Sequence, residues 1–222
     1  MLKAKVALVT GASSGIGRAT VLAFSREAIF VAANAGNPED GIRLVERAVA
    51  RYGRLDVPCN NAGIGGPTAL TADYPLDGLA QVININLSGV FFGTRAQIAA
   101  MLKTGGGSIV NMASVLGAVG GPRSTAYAAA KRGVIALTQT AAWEYGTKGI
   151  RINAVGPGFI HTAMVKSLED NPAVHAGLIA THALGRLGRP EEVVEMVVGL
   201  ASERASFATG GFYPIDGGYL AH

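Results

Sequence analysis

Apolar positions along the chain fall into two alternating rhythms. Short β-branched or apolar runs predict strands at Lys5 to Thr10, Ala28 to Ala33, Asp56 to Asn60, Gly107 to Ala113, Gly149 to Val155 and Gly211 to Ile215. Between them, longer stretches with helical spacing run from about Ile16 to Arg26, Pro38 to Tyr52, Asp77 to Lys103, Thr125 to Tyr145 and Arg189 to Ser202. Pro38-Glu39-Asp40 and Pro190-Glu191 place proline and acids in a first helical turn, where the missing N–H costs nothing and the dipole favours negative charge. Pro58 is awkward inside a buried strand, because it donates no ladder hydrogen bond. Residues 163–185 mix polar and apolar positions and read as a lid over a substrate. No repeat, linker or low-complexity tract interrupts the pattern, so we expect one domain over residues 1–222.

The first predicted strand runs into Gly11-Ala12-Ser13-Ser14-Gly15-Ile16-Gly17 and then a helix. Strand, glycine turn and helix open a dinucleotide-binding unit: glycines let backbone approach a pyrophosphate, and the helix N-terminus offers it unpaired N–H groups. A purely structural turn is the alternative. The spacing is Gly-x-x-x-Gly-x-Gly rather than Gly-x-Gly-x-x-Gly. The expected fold is therefore α/β, a Rossmann-like doubly wound parallel sheet of about six strands with helices on both faces.

Composition narrows the classes. Hydrophobic residues make up 49% and charged ones 15%, which suits an extensively buried sheet and excludes disorder. The formal charge is +4 and the pI about 9.4, yet the 13 Arg and 6 Lys are scattered without aromatic interleaving. Nucleic acid is not an expected partner. A single cysteine, Cys59, and the lack of an apolar stretch long enough for a membrane span point to a cytoplasmic protein. His161, His175, His182 and His222 lack a compact ligand spacing, so no metal site is expected.

The chemistry gathers between Ser114 and Lys131. Tyr127 and Lys131 stand four apart in an alanine-rich helical run and so share a face. A nearby ammonium favours a phenolate, and a tyrosine so tuned can exchange a proton with an alcohol oxygen. Ser114, at the end of a predicted strand, is placed to hydrogen-bond the same oxygen. Alone, the pair reads more readily as a solvated helix pair. Asn84 and Asn86 sit inside the long apolar helix and need partners; Asn86 is either a helix-bending core residue or a group held near Lys131.

Taken in order, these motifs resemble the short-chain dehydrogenase/reductase family over nearly the whole chain. The resemblance rests on Thr10-Gly-Ala-Ser-Ser-Gly-Ile-Gly17, Asn60-Asn61-Ala62-Gly63, Asn86 in Ile85-Asn86-Leu87-Ser88-Gly89, the Ser114/Tyr127/Lys131 set, and Asn153-Ala-Val-Gly-Pro157-Gly158 with Thr162 after it. It implies hydride transfer between NAD or NADP and a ketone or secondary alcohol. Tyr127 is then the proton donor or acceptor and Ser114 polarises the substrate oxygen. Lys131 depresses the Tyr127 pKa and contacts the nicotinamide ribose, and Asn86 holds a water behind it. Gly11, Ser13, Ser14, Gly15, Ile16 and Gly17 would cradle the pyrophosphate. Asn61, Ala62, Gly63, Pro157, Gly158, Ile160 and Thr162 would line the nicotinamide side. Asn34 stands where the family touches adenosine. A homo-oligomer, tetramer or dimer, built through two long helices is also implied.

Two departures accompany the resemblance. Family members carry roughly 25–30 more residues between Glu27 and Ala28, enough for one strand and one helix at common lengths. With that segment would go the residue that separates NAD from NADP. Ala113 replaces a serine found in many members. The expectation is that residues 29–33 pair beside the first strand. A degenerate relative with impaired cofactor binding, serving as a binding or assembly subunit, is the alternative reading.

Overall fold

The computed structural model describes residues 2, 4–24 and 28–221. Five strands form one sheet: β1 (Ala7–Val9), β2 (Val57–Asn60), β3 (Gly107–Met112), β4 (Ile150–Pro157) and β5 (Phe212–Ile215). All neighbours are parallel and the order is β1-β2-β3-β4-β5. The helices are α1 (Gly15–Phe24), α2 (Pro38–Tyr52), α3 (Leu76–Ile83), α4 (Gly89–Thr104), α5 (Thr125–Tyr145), α6 (Ala163–Glu169), α7 (Pro172–Ala180) and α8 (Pro190–Ala201).

Alternation along the strands sends side chains to two cores. Cys59, Val110, Met112 and Val155 pack with Val193, Val197 and Leu200 of α8 and with Ile16 and Phe24 of α1. Ile109, Ile150 and Ile152 pack on the opposite face with Ile98 and Met101 of α4 and Ala141 and Ala142 of α5. Strands buried on both faces explain the continuous apolar runs.

Pro58 is accommodated inside β2, paired in register with Leu8. Val57 donates to Val6 and Thr10 donates to Cys59, so odd positions of β2 serve β1. Position 58 therefore faces β3, and the proline removes one bond on that side only.

The expected six-stranded sheet is corrected to five among the described residues. Residues 28–34 are irregular backbone, not a strand. β1 is only three residues long, and Phe30 is 81% exposed, with no layer to bury it. The segment instead ties itself to α2. Arg43 Nη2 donates to the Ala32 carbonyl at 2.8 Å, and the Asn34 N–H donates to Asp40 Oδ2 at 2.7 Å. Asn37 caps α2 by accepting from the Glu39 and Asp40 N–H groups. The expected helix end at Arg26 and the Glu27–Ala28 junction touch residues 25–27, outside the described residues.

The single long helix expected from Asp77 to Lys103 is two helices joined by a π-helical turn, Asn84–Ser88. Such turns re-aim side chains at the cost of regular hydrogen bonding. The expected lid is two short helices, α6 and α7.

Candidate active site

The carboxyl ends of β1 to β4 deliver the glycine turn, Asn61 to Gly63, Ser114 and Gly158 to one edge of the sheet, where open α/β folds collect their ligands. Thr10 organises the first part. Its hydroxyl accepts from the Asn61 N–H at 3.0 Å and the Ala62 N–H at 3.1 Å. The Asn61 amide in turn donates to the Thr10 carbonyl at 3.1 Å and the Gly11 carbonyl at 3.3 Å. Gly11 lies at φ +64°, and a Cβ there would meet the Ala62 Cα at 2.9 Å. A Cβ on Gly17 would meet the Gly11 oxygen at 2.2 Å. Only glycine permits this approach.

Gly15 starts α1 at φ +52°, and a Cβ on it would come within 3.2 Å of Thr162 Cγ2. The phosphate turn and the loop after β4 are thus brought side by side. Ser13 and Ser14 occupy the exposed turn, with the Ser14 carbonyl accepting from the Arg18 N–H at 3.1 Å. Ile160 is buried and bridges Gly188, with Thr162 Oγ1 donating back to its carbonyl at 3.2 Å. Pro157 ends β4 beside Ile215, and Gly158 lies against Asp216 and His182.

The second part gathers Ser114, Tyr127 and Lys131. Ser114 caps the short 3-10 turn Val115–Gly117, its Oγ accepting from the Leu116 N–H at 3.2 Å. Its hydroxyl also lies toward the Tyr127 phenol, where it favours the phenolate. One turn along α5, Lys131 is 3% exposed, and its Nζ donates to the Met112 carbonyl at 2.8 Å. That Nζ lies 5.6 Å from the centre of the Tyr127 ring. Asn86 is wholly buried in the π-turn. A Cβ on Gly63 would fall 3.1 Å from Asn86 Oδ1 and 3.6 Å from Lys131 Nζ, so Gly63 is the gap between them.

The electrostatics differ from the expectation that Lys131 lowers the Tyr127 pKa. Burial pushes the phenol above its ordinary value of 10, and the Ser114 hydrogen bond acts the other way. Burial also pulls Lys131 from 10.5 to about 8. With its ammonium turned to the Met112 carbonyl, burial outweighs attraction at Tyr127. Asn86 likewise spends its side-chain amide on the backbone of Ile64.

Sequence reasoning named the residues of both parts but missed three anchors: the Thr10 hydroxyl as an acceptor, the Met112 carbonyl and the Ile64 backbone. A threonine at a strand end, one residue before the glycine turn, is the available signal for the first. The carbonyls have none. Asn34 lies outside the cluster, exposed, its Oδ1 accepting from the Gly36 N–H at 3.0 Å.

A family model described as enoyl-(acyl carrier protein) reductase matches residues 3–220. The chain belongs to the short-chain dehydrogenase/reductase family. It is 40% identical to a cyclohexanol dehydrogenase of Acinetobacter sp. (strain SE19), covering 98% of this chain and 95% of that protein. It is 41% identical to a 3-oxoacyl-acyl-carrier-protein reductase of Thermotoga maritima, covering 99% of each. The crystal structure of a levodione reductase superposes with a TM-score of 0.94 at 34% identity, over 100% of this chain and 99% of that one. The protein is accordingly an NAD(P)-dependent oxidoreductase acting between alcohols and ketones. Nothing observed favours the degenerate alternative.

Proposed function

We propose that this short-chain dehydrogenase/reductase interconverts a ring-borne secondary alcohol and its ketone, with Tyr127 passing the proton. The observation that carries the reading is the Tyr127 phenol with Ser114 on one side and, 5.6 Å from its ring, the Nζ of a buried Lys131. A bound nicotinamide cofactor supplies or accepts the hydride. Tyr127 donates a proton to the carbonyl oxygen in reduction and takes it back in oxidation. Ser114 can donate its hydroxyl proton to the substrate oxygen while its own oxygen accepts from Leu116. Lys131, fixed by the Met112 carbonyl, stands behind the phenol and carries its positive charge below about pH 8. Asn86 acts as a positioning residue, fixing Ile64 and so Gly63 against Lys131.

The glycine cradle of Gly11, Gly15 and Gly17 fits a pyrophosphate, because each missing Cβ would fill space that backbone or Thr162 borders. Asn61 to Gly63, Tyr127, Lys131, Pro157, Gly158, Ile160 and Thr162 would hold the nicotinamide side.

The ring preference draws on the cyclohexanol dehydrogenase, whose name specifies a cyclic substrate. The 3-oxoacyl-acyl-carrier-protein reductase favours an acyl thioester as the second reading. Steady-state assays with cyclic ketones and a 3-oxoacyl thioester, each with NADH and NADPH, decide between them. Turnover of the thioester alone would sink the first.

The chain also lacks, on this reading, a strand and helix that relatives carry after α1. The cyclohexanol dehydrogenase alignment spans 244 positions while using 98% of 222 residues, which leaves about two dozen positions without a counterpart here. A single dinucleotide-binding and catalytic domain remains. It would assemble as a dimer or tetramer through α4 and α5, which expose Phe91, Leu102 and Trp143. Sedimentation showing only monomer at assay concentration would remove that reading. No described helix is long and apolar enough to cross a membrane, and a cytoplasmic enzyme is the corresponding proposal.

A further inference from the structure

A dinucleotide ordinarily lies across the point where strand order reverses, one nucleotide on each side of the first strand. Here the order runs straight from β1 to β5, with β1 at the edge. Among the described residues, strands stand on one side of the glycine turn only. That side holds the Thr10–Asn61 clamp, Gly63, Lys131 and Thr162. On the other side the chain is irregular from 28 to 34.

The polar groups on that second side are already committed. An adenosine subsite needs a carboxylate at the end of its strand to accept from the ribose hydroxyls. Among the described residues, the carboxylate that reaches this segment is Asp40. Its Oδ2 accepts from the Asn34 N–H at 2.7 Å, and its Oδ1 accepts from Arg43 Nε at 3.2 Å and Nη2 at 2.6 Å. Arg43 is further held by the Ala32 carbonyl at 2.8 Å. The Asn37 side chain is spent capping α2. Asn34 turns its Oδ1 to Gly36, and Asn84 Nδ2 holds the Gly36 carbonyl at 3.1 Å. Ala35 is pinned under α4, since a Cβ on Gly89 would meet its carbonyl at 2.5 Å. This segment is knit to α2 and to the π-turn, not left as an open receptor.

We infer that the protein recognises the nicotinamide mononucleotide half of its cofactor and makes little use of the adenosine half, so reduced nicotinamide mononucleotide serves it nearly as well as NADH. The inference rests on the oxidoreductase reading above and deepens it. One phosphate on the glycine cradle and one ribose beside Lys131 and Asn61 supply the recognition. With Asp40, Asn34 and Asn37 committed among the described residues, the adenosine adds chiefly area, and area alone converts poorly to affinity.

Binding to the unaltered protein tests this without reference to turnover. NADH and reduced nicotinamide mononucleotide are titrated calorimetrically, and saturation-transfer NMR maps which ligand protons touch the protein. The expected result is dissociation constants within about fivefold of each other, far less than the loss of a charged ribose contact and a stacked base would give. Saturation should be strong on the nicotinamide protons and weak on the adenine protons, and AMP should not compete at millimolar concentration. NADH binding more than about thirtyfold tighter, with its adenine protons saturated, overturns the inference while the hydride-transfer reading stands. If NADH, NADPH and the reduced mononucleotide all fail to bind at millimolar concentration, both fall together.

Discussion

Asn86 grips Ile64 by both ends of its peptide. Its Nδ2 donates to the Ile64 carbonyl at 2.7 Å, and its Oδ1 accepts from the Ile64 N–H at 2.8 Å. The π-turn exists to point this amide across the helix packing at the loop after β2. The loop carries Gly63, and Gly63 borders Lys131. Asn86→Ala leaves the Ile64 peptide without its two partners, a cost of about 1–3 kcal/mol for each buried group. We expect a lower Tm together with a fall in kcat. Asn86→Asp keeps an acceptor for the Ile64 N–H but opposes its carbonyl, so it should rescue neither. Thermal melts and steady-state kinetics on both variants check this, and unchanged values in either measurement would contradict it.

Tyr127→Phe removes the phenolic proton and leaves the ring packed among Val82, Ala126 and Ala130. Loss of a positioned acid–base costs about 10²–10⁴-fold in rate. Turnover should fall by at least that much, with far-ultraviolet circular dichroism and Tm close to the parent. Retained turnover would remove Tyr127 from the chemistry. Ser114→Ala should lower kcat less and should also raise the Tyr127 pKa, since it deletes the one contact that pulls it down.

The pH behaviour follows from burial. Alcohol oxidation needs the phenolate, and a phenol held above 10 makes oxidation climb with pH through the alkaline range. Ketone reduction needs the neutral phenol and should stay flat near neutrality. Lys131 adds a stability effect of its own. Its value is about 8 when folded against 10.5 free, so between these the unfolded chain binds the extra proton. Stability contributed at this site therefore rises as pH goes from 8 to 10.5, by up to about 3 kcal/mol. Lys131→Met should remove that rise. Urea melts of both proteins across the window measure it, and parallel curves would refute it.

The fold and the site were legible to different depths. Helix starts at Pro38 and Pro190 and strands buried on both faces follow from residue type and period, because local sterics and burial dictate them. Ser114, Tyr127 and Lys131 were visible through their types and spacing. Residues 28–33 misled, since Ile29 and Phe30 carry strand propensity that only a covered sheet face can use, and here no such layer lies over them. The direction of the Tyr127 shift was also hidden. It depends on how deeply α5 seats the phenol and on Lys131 facing the Met112 carbonyl, and neither is written in a four-residue spacing. The π-turn could not be foreseen either, as one residue's slip in hydrogen bonding leaves no mark in apolar periodicity.

Cys59 offers an independent check on the sheet. It lies in β2 with no exposed surface, packed with Val110, Met112 and Val197, and burial pushes its thiol up to about 12. A thiol so placed is neither accessible nor ionised near neutrality, and the thiolate is the reactive form. It should stay unmodified by an aromatic disulfide reagent in the native protein and react once for each chain in denaturant. Under native conditions its labelling rate should follow the opening of β2, which is flanked by β1 and β3. Because β1 is the edge strand, a second expectation separates local fraying from global unfolding. If β1 frays independently, labelling outruns global unfolding measured by circular dichroism at the same denaturant concentration; if the edge is locked by the Thr10–Asn61 clamp, the two rates coincide. We expect coincidence, and Thr10→Val, which deletes the acceptor for the Asn61 and Ala62 N–H groups, should separate them.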